Sequence, residues 1–260
     1  MTITNPARER LQNGKLAIGI GLRQARTVDT ALAMKACGFD WLFIDLEHGS
    51  MGLDTAAQIS MAALGAGISP LVRVPKGCYD LATRVLDCGA YGIVMPHVDT
   101  AEEARDIVDH LKYPPLGHRS AAGAMAQLAF KATPLVEATA TVNDNMLIVA
   151  MLETPAAIAN ADAIAAVPGI DVLLIGTNDL TCEMGIPGEL MHERVAAAYE
   201  TMVAACRKHG KWAGMGGVYS EEGLRRYIGL GAQMILSGSD LSLLMAAGQA
   251  RTSMLREIAG

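Results

Sequence analysis

The chain has 260 residues, of which 51% are hydrophobic and only 4% aromatic, with a formal net charge of −6. That length bounds one large or two small domains, and an α/β barrel commonly takes roughly 250 residues as one unit. The acidic balance argues against a nucleic-acid partner, and no stretch reaches the ~18 apolar residues of a membrane span. A mean hydropathy of +0.27 implies a large core and points towards buried subunit contacts. The opening MTITNPARERLQNGK is polar and lacks the apolar core of a signal peptide. The five cysteines (Cys37, Cys78, Cys88, Cys182 and Cys206) are odd in number and form no CxxC pair. They read as reduced thiols of a cytoplasmic protein rather than as a disulfide or zinc framework. Three Phe and two Trp leave no aromatic platform for bases or sugars.

Arg8 to Gly14 reads as a short helix, and LAIGIGL (Leu16 to Leu22) as a first strand. Val28 to Cys37 is helical with Gly38 as its C-cap, and WLFIDLEH (Trp41 to His48) is a second strand. A helix from Leu53 to Gly65 leads to a third strand, SPLVRVP (Ser69 to Pro75). Tyr79 to Cys88 is helical, GIVM opens a fourth strand, and Glu102 to Leu111 is the next helix. The segment Tyr113 to Asn145 is too long for a simple βα loop and is expected to hold a helix around Pro134 to Thr139. MLIVAMLE (from Met146) is a fifth strand, followed by one helix over Pro155 to Ala166. A sixth strand ends near Ile175, and Glu193 to His209 forms a long helix. WAGMGGV (Trp212 to Val218), a helix over Glu221 to Leu230, the strand AQMILSGS and a helix from Leu241 to Ile258 complete the chain.

Strands that are apolar throughout are buried on both faces and belong in a parallel sheet. Eight of them, each followed by helical sequence, predict a closed (β/α)8 TIM barrel spanning residues 1–260 as one domain. An open doubly wound sheet is the second reading, weakened by the lack of a GxGxxG after the first strand.

In a barrel, polar residues at strand C-termini converge on one mouth. The stretch MLIVAMLET carries its first charge at Glu153, and the next strand leads to Asp179. Neighbouring strands run about 4.8 Å apart, and carboxylates that close repel unless a proton or cation lies between them. A hard divalent cation such as magnesium or manganese suits two oxygen ligands; the competing reading is that either carboxylate caps a helix, since Thr177, Asn178 and Asp179 precede a possible turn. The second strand contributes Asp45, Glu47 and His48, the third Arg73, and the fourth ends in Pro96 and His97. His48, oriented by Asp45 or Glu47, is suited to be a general base. Arg73, inside the apolar run VRVP, is either half of a structural ion pair or a fixed charge beside an anionic substrate. The turns GMGG and SGSD lie where many barrels bind phosphate, although tight turns need glycine in any case.

The segments FDWLFIDLEHG, LVRVP, GIVMPHVDTAEEA, YPPLGHRS, AMLETPAAIANADAIAAVPGIDVLLIGTNDL and GSDLSLL, in that order, resemble the HpcH/HpaI aldolase family of metal-dependent class II pyruvate aldolases. Dehydro-deoxy-glucarate aldolase and macrophomate synthase are related to that family. The resemblance implies a (β/α)8 barrel assembled as a hexamer, a trimer of dimers that exchange C-terminal helices. It implies a divalent metal (magnesium, manganese or cobalt) on Glu153 and Asp179, with His48 as catalytic base, Asp45 as its support and Arg73 on the substrate. The backbone around Gly176, Thr177, Asn178 and Asp179 is implied to hold the pyruvate carboxylate. Four departures stand out: Met151 where many members carry glutamine, GTNDL in place of GPADL or GPSDL, Ser120 closing YPPLGHRS, and GSM after the histidine in place of APN. By strand alternation Met151 points to the same side as Glu153 and is expected in the pyruvate pocket.

The expected function is reversible retro-aldol cleavage of a 4-hydroxy-2-oxo acid to pyruvate, or a related 2-oxo acid, and an aldehyde. The metal would chelate the 2-oxo acid and hold the charge of C–C cleavage as an enolate. His48 would move the proton of the 4-hydroxyl. The alternatives are a CoA-ester lyase of the citrate-lyase β type, for which no basic cluster is evident, a phosphosugar isomerase using the glycine turns, and a barrel kept only for binding or assembly.

Overall fold

Eight short apolar runs become strands because each buries both of its faces. In the computed structural model, which describes residues 4–259, they are β1 (Ala17–Leu22), β2 (Trp41–Asp45), β3 (Ser69–Arg73), β4 (Gly92–Met95), β5 (Leu147–Leu152), β6 (Val172–Gly176), β7 (Trp212–Gly216) and β8 (Met234–Ser239). Positions 1–3 and 260 of the expected 1–260 domain lie outside the described residues. All neighbouring pairs are parallel, the order is sequential, and β8 closes on β1. This is the predicted (β/α)8 barrel.

Alternation along the strands divides the apolar residues between two clusters. One fills the barrel and includes Trp41, Phe43, Leu71, Val94, Leu147, Val149, Met151, Leu174 and Leu236. The other, with Leu42, Ile44, Ile148, Ala150, Leu173 and Ile175, packs outwards against the helices. The leading helix α1 (Pro6–Gln12) belongs to the inner cluster through Ala7 and Leu11. It starts at the Asn5 cap and is tied by Arg8 to Asp171 at 2.8 Å. It therefore shuts one end of the barrel and leaves the other for chemistry.

The outer helices are α2 (Asp29–Ala36), α3 (Leu53–Ala66), α4 (Tyr79–Asp87), α5 (Ala101–Leu111), α6 (Leu135–Asn145), α7 (Pro155–Ala159), α8 (Ala161–Ala165), α9 (Thr177–Glu183), α10 (Glu193–His209), α11 (Glu221–Leu230) and α12 (Asp240–Ala259). The helix expected over Pro155 to Ala166 is broken in two at Asn160, whose side chain donates to Asp99 O at 2.8 Å instead of projecting from a continuous helix. The helix in the long β4–β5 connection runs to Asn145, well past the expected Thr139, because buried Lys112 donates from Nζ to Asn143 O and Met146 O and anchors its end. α9, entertained from the sequence only as a helix that Asp179 would cap, has Gly176 at its cap and Asp179 inside its first turn. β2 and β7 stop earlier than expected, at Asp45 and Gly216, and their polar or glycine continuations turn over the barrel mouth. α12 differs from the others. It has no buried residue, and Leu243, Leu244, Met245, Leu255 and Ile258 are exposed along it.

The interior is filled by one oversized side chain where β1 and β2 meet. Gly19 pairs with Trp41, and a Cβ on Gly19 would lie 2.1 Å from the Trp41 ring. Trp41 is fully buried and donates from Nε1 to Ala17 O at 3.1 Å, so it has no room to withdraw. Gly19→Ala is expected to destabilise by about 3 kcal/mol through overpacking. Adding Trp41→Leu to that variant should recover part of the loss, read as a non-additive pair of thermal midpoints.

Candidate active site

The open end of the barrel is a cavity of about 440 Å³ whose wall takes residues from every strand end but the fourth. Phe43, Asp45 and His48 come from the end of β2, Arg73 from β3, Met151 from β5, Gly176 to Asp179 from the β6–α9 junction, and Tyr219 from beyond β7. Gly21, Arg23, Gly238, Ser239 and Ser242 close the β1–β8 side.

Parallel register decides the charge arrangement. Asp45 and Arg73 are direct partners across β2 and β3, so both side chains face inwards at the same level. Arg73 donates from Nε to Asp45 Oδ1 at 3.0 Å and from Nη2 to Oδ2 at 2.6 Å, a bidentate fork. Its Nη1 lies 3.0 Å from Glu47 Oε2, and its guanidinium stacks 4.9 Å over Phe43. Both partners are buried, Asp45 at 2% and Arg73 at 8% exposure. Burial alone would raise the Asp45 pKa. The Arg73 hydrogen bond and charge, with the His48 and Glu47 amides, outweigh it and hold the carboxyl below its ordinary value. Burial likewise opposes the charged form of Arg73, and Asp45, Glu47 and Glu153 more than restore it.

This arrangement corrects one expectation. Asp45 does not back the His48 imidazole. Its Oδ1 accepts the main-chain amides of Glu47 and His48, each at 3.1 Å, and Arg73 takes what remains. Glu47 Oε2 stands 3.9 Å from His48 Nε2, beyond hydrogen-bond length. The His48 side chain is 57% exposed and its ring has no carboxylate behind it. The aspartate orients the turn that carries the histidine, not the ring itself.

Glu153 follows β5 and is 1% exposed. Its Oε2 accepts the His97 amide at 2.7 Å and lies 3.2 Å from His97 Nδ1. Its Oε1 packs over Gly176, where a Cβ would come within 2.7 Å. Burial pushes the Glu153 carboxyl up. His97 opposes this, Asp179 adds to it, and Arg73 opposes it. His97, which had no assigned role, adopts φ 53° to aim its amide at that carboxylate. Backbone strain at a non-glycine residue leaves no trace in residue order, so nothing in the sequence marked it.

Asp179 sits in the first turn of α9 and is exposed. Gly176 offers no side-chain cap to α9, so that turn presents main-chain N–H groups and the positive end of its dipole to the mouth. Asn178 is exposed beside them, while Thr177 is buried. The Thr177 hydroxyl donates to Gly216 O at 2.6 Å and lies 2.8 Å from the Tyr199 hydroxyl. The expected contribution of Thr177 is thereby limited to its main chain. Met151 is 4% exposed in the cavity wall, on the inner face of β5. Among the described residues no group of three or more His, Cys, Asp and Glu is spaced to hold a metal. The SGSD turn is occupied internally. Ser239 and Ser242 bond one another, and the Asp240 carboxylate accepts the amides of Arg23, Gln24 and Ala25.

Residues 24–247 match a family described as HpcH/HpaI aldolase/citrate lyase. A 4-hydroxy-4-methyl-2-oxoglutarate aldolase of Hapsidospora irregularis is 42% identical over 92% of this chain and 90% of its own length. A 2-keto-3-deoxy-L-rhamnonate aldolase of Escherichia coli is 32% identical over 98% of this chain and 94% of its own. The crystal structure of an HpcH/HpaI aldolase from Desulfitobacterium hafniense superposes with a TM-score of 0.91 at 30% identity, covering 96% of both chains.

The buried ion cluster has a pH signature. The folded state holds the Asp45 pKa below its ordinary 3.8, so the charged pair stabilises the fold fully above that value and its contribution is lost as pH falls through the folded pKa. Asp45→Asn is expected to cost about 3 kcal/mol at pH 7, because Arg73 stays buried with less compensation. In thermal unfolding the gap between wild type and this variant should be constant from pH 7 to about 5 and should close only below pH 3.8.

Proposed function

The chain belongs to the HpcH/HpaI aldolase/citrate lyase family, and from that premise we propose that it is a divalent-metal-dependent aldolase that reversibly cleaves a 4-hydroxy-2-oxo acid to pyruvate, or a related 2-oxo acid, and a carbonyl compound. It is a carbon–carbon lyase. The two relatives are named for substrates that share the 2-oxo acid and differ in the tail: one is a dicarboxylate, the other a sugar acid.

The observation that carries the reading is that Glu153, after β5, and Asp179, in the first turn of α9 after β6, are close enough for the charge of one to act on the other. Both offer hard oxygen donors. Glu153 is raised in pKa first by burial, with Asp179 adding to it, and a cation between the two would relieve that repulsion. Gly176 leaves the space beside Glu153 Oε1 that any side chain would fill. Magnesium is commonly held by one or two carboxylates, with water and substrate completing its shell, so the donor set fits. A bound divalent cation supplies Lewis acidity at the 2-oxo group.

The chain's own residues do the rest. The first-turn amides of α9, Thr177 to Asp179, hold the 1-carboxylate of the substrate. Arg73, kept charged by Asp45 and Glu47, adds a fixed positive charge towards the 2-oxo oxygen. His48 takes the proton from the 4-hydroxyl as the C3–C4 bond breaks, and the electron pair stays with C3 as an enolate. A proton then returns to C3 to give the 2-oxo acid. The exposed, unbacked imidazole is free to reach that hydroxyl, while Met151 gives the pocket an apolar wall beside C3. Among the described residues no lysine lines the cavity, and the proposed chemistry does not route through a Schiff base.

The unburied apolar face of α12 supports exchange of this helix with another copy in a hexamer. No helix of the described residues is long and apolar enough to cross a membrane, and all five cysteines are free, in keeping with a cytoplasmic enzyme.

Glu153→Gln is expected to lower magnesium or manganese affinity, and to cut pyruvate release more than about 100-fold, beyond what loss of an outer-shell contact costs. Full activity after exhaustive chelation would remove the metal from the mechanism. His48→Ala should lower kcat by about 10²–10⁴ while the metal still binds in a calorimetric titration. For the assembly, Leu244→Asp with Leu255→Asp should reduce the mass seen by light scattering; an unchanged mass would show that α12 is not an interface.

A further inference from the structure

Arg23 follows β1 and lines the mouth. Its neighbours are all committed. Arg73 is matched by Asp45 and Glu47, and Arg26 donates to Arg23 O at 2.7 Å and to Ser50 Oγ at 3.3 Å. Among the described residues the Arg23 guanidinium has no acceptor. An exposed arginine without a partner is ordinary, so the case rests on where this one is held and what it faces.

Its backbone is anchored. The amides of Arg23, Gln24 and Ala25 donate to the Asp240 carboxylate at 3.0, 2.9 and 2.6 Å, which locks the β1 loop to the start of α12. In the closed ring β1 lies opposite β5, so Arg23 stands across the mouth from Glu153. The wall on the β7, β8 and β1 side is opened by Gly21, Gly216, Gly217 and Gly238, which carry no side chain. Tyr219 lines the same cavity as the two cations. Desolvation raises its pKa, and the charges of both Arg23 and Arg73 act against that.

Charge balance points the same way. Asp45, Glu47, Glu153 and Asp179 face Arg73 and, in the aldolase reading, a divalent cation, which leaves the inner mouth with an excess of negative charge. A substrate with one carboxylate is already an anion entering that field. A second carboxylate is tolerated only if a free cation receives it, and the guanidinium fork matches a carboxylate bidentately.

We infer that Arg23 binds the distal carboxylate of the substrate and selects dicarboxylic 4-hydroxy-2-oxo acids over those with a neutral polyol tail; this rests on the aldolase reading above. With the 1-carboxylate at the start of α9, the substrate spans the mouth towards β1. Cleavage of C3–C4 leaves the electron pair on C3, and C4 becomes the carbonyl of a second acid that stays on Arg23 until release. When C4 bears both a carboxylate and a methyl group, both products are pyruvate. In the synthetic direction Arg23 holds the acceptor, which is itself a 2-oxo acid.

The test compares cleavage of 4-hydroxy-4-methyl-2-oxoglutarate and 2-keto-3-deoxy-L-rhamnonate by wild type, Arg23→Ala and Arg23→Lys with magnesium. Wild type should favour the dicarboxylate. In Arg23→Ala the ratio of the two kcat/KM values should fall about 10- to 100-fold, chiefly through KM, and Arg23→Lys should restore part of it. An unchanged ratio in Arg23→Ala, equal losses on both substrates, or a wild type that favours the sugar acid would overturn the assignment while leaving the aldolase intact. A wild type that cleaves neither substrate, and does not exchange the C3 protons of pyruvate in heavy water, would overturn the aldolase reading and this inference with it.

Discussion

The ion cluster of Arg73, Asp45 and Glu47 is the constraint on which the mouth depends. It exists because β2 and β3 pair in a register that sets Asp45 beside Arg73 on the inner face. A buried guanidinium is costly unless its donors are met, and here two carboxylates meet it. The same Asp45 oxygen accepts the amides of the turn that follows, which sets the place from which His48 rises. One carboxylate thus fixes the position of the cation and the path of the chain carrying the base.

A second buried carboxylate, Glu153, is treated differently. No arginine pairs with it. It is held by a strained main-chain amide at His97 and pressed against the bare Cα of Gly176. Burial and the Asp179 charge both disfavour its ionised form. The two halves of the mouth therefore differ. The β2–β3 side holds its own cation, Arg73, between two carboxylates, and among the described residues the β5–β6 side has no arginine paired with Glu153. Arg23 adds a further cation on a third side, on a loop that Asp240 clamps. This division gives a cation and an anionic substrate separate places to bind.

Much of this was legible in residue order. The eight apolar runs marked the strands, and the barrel followed from their number and the helices between them. Asp45, Arg73, Glu153 and Asp179 were legible as strand-end charges, since an ionisable group closing a buried strand has few other places to go. The break of the helix at Asn160 and the start of the short helix α9 were not legible. Both are decided by contacts with distant parts of the chain: Asn160 with Asp99, Thr177 with Gly216 and Tyr199. His97 was passed over because its contribution is a main-chain amide, which any residue type could supply.

What the sequence by itself determined was the architecture and the chemical inventory of the mouth, because hydrophobic period and the type of residue ending each strand are local properties. The tertiary structure alone decided the partnerships. Asp45 serves Arg73 and a turn rather than the His48 ring, because strand register brought the arginine nearer than the imidazole. Thr177 turns away from the substrate side because buried Tyr199 and the Gly216 carbonyl complete its hydrogen bonds. Arg23 has no side-chain partner among the described residues, because its loop is clamped through backbone amides, which engages the chain and not the guanidinium. Hydrogen-bond and ion-pair competition is settled by distance, and distance between residues far apart in the chain is created only by folding.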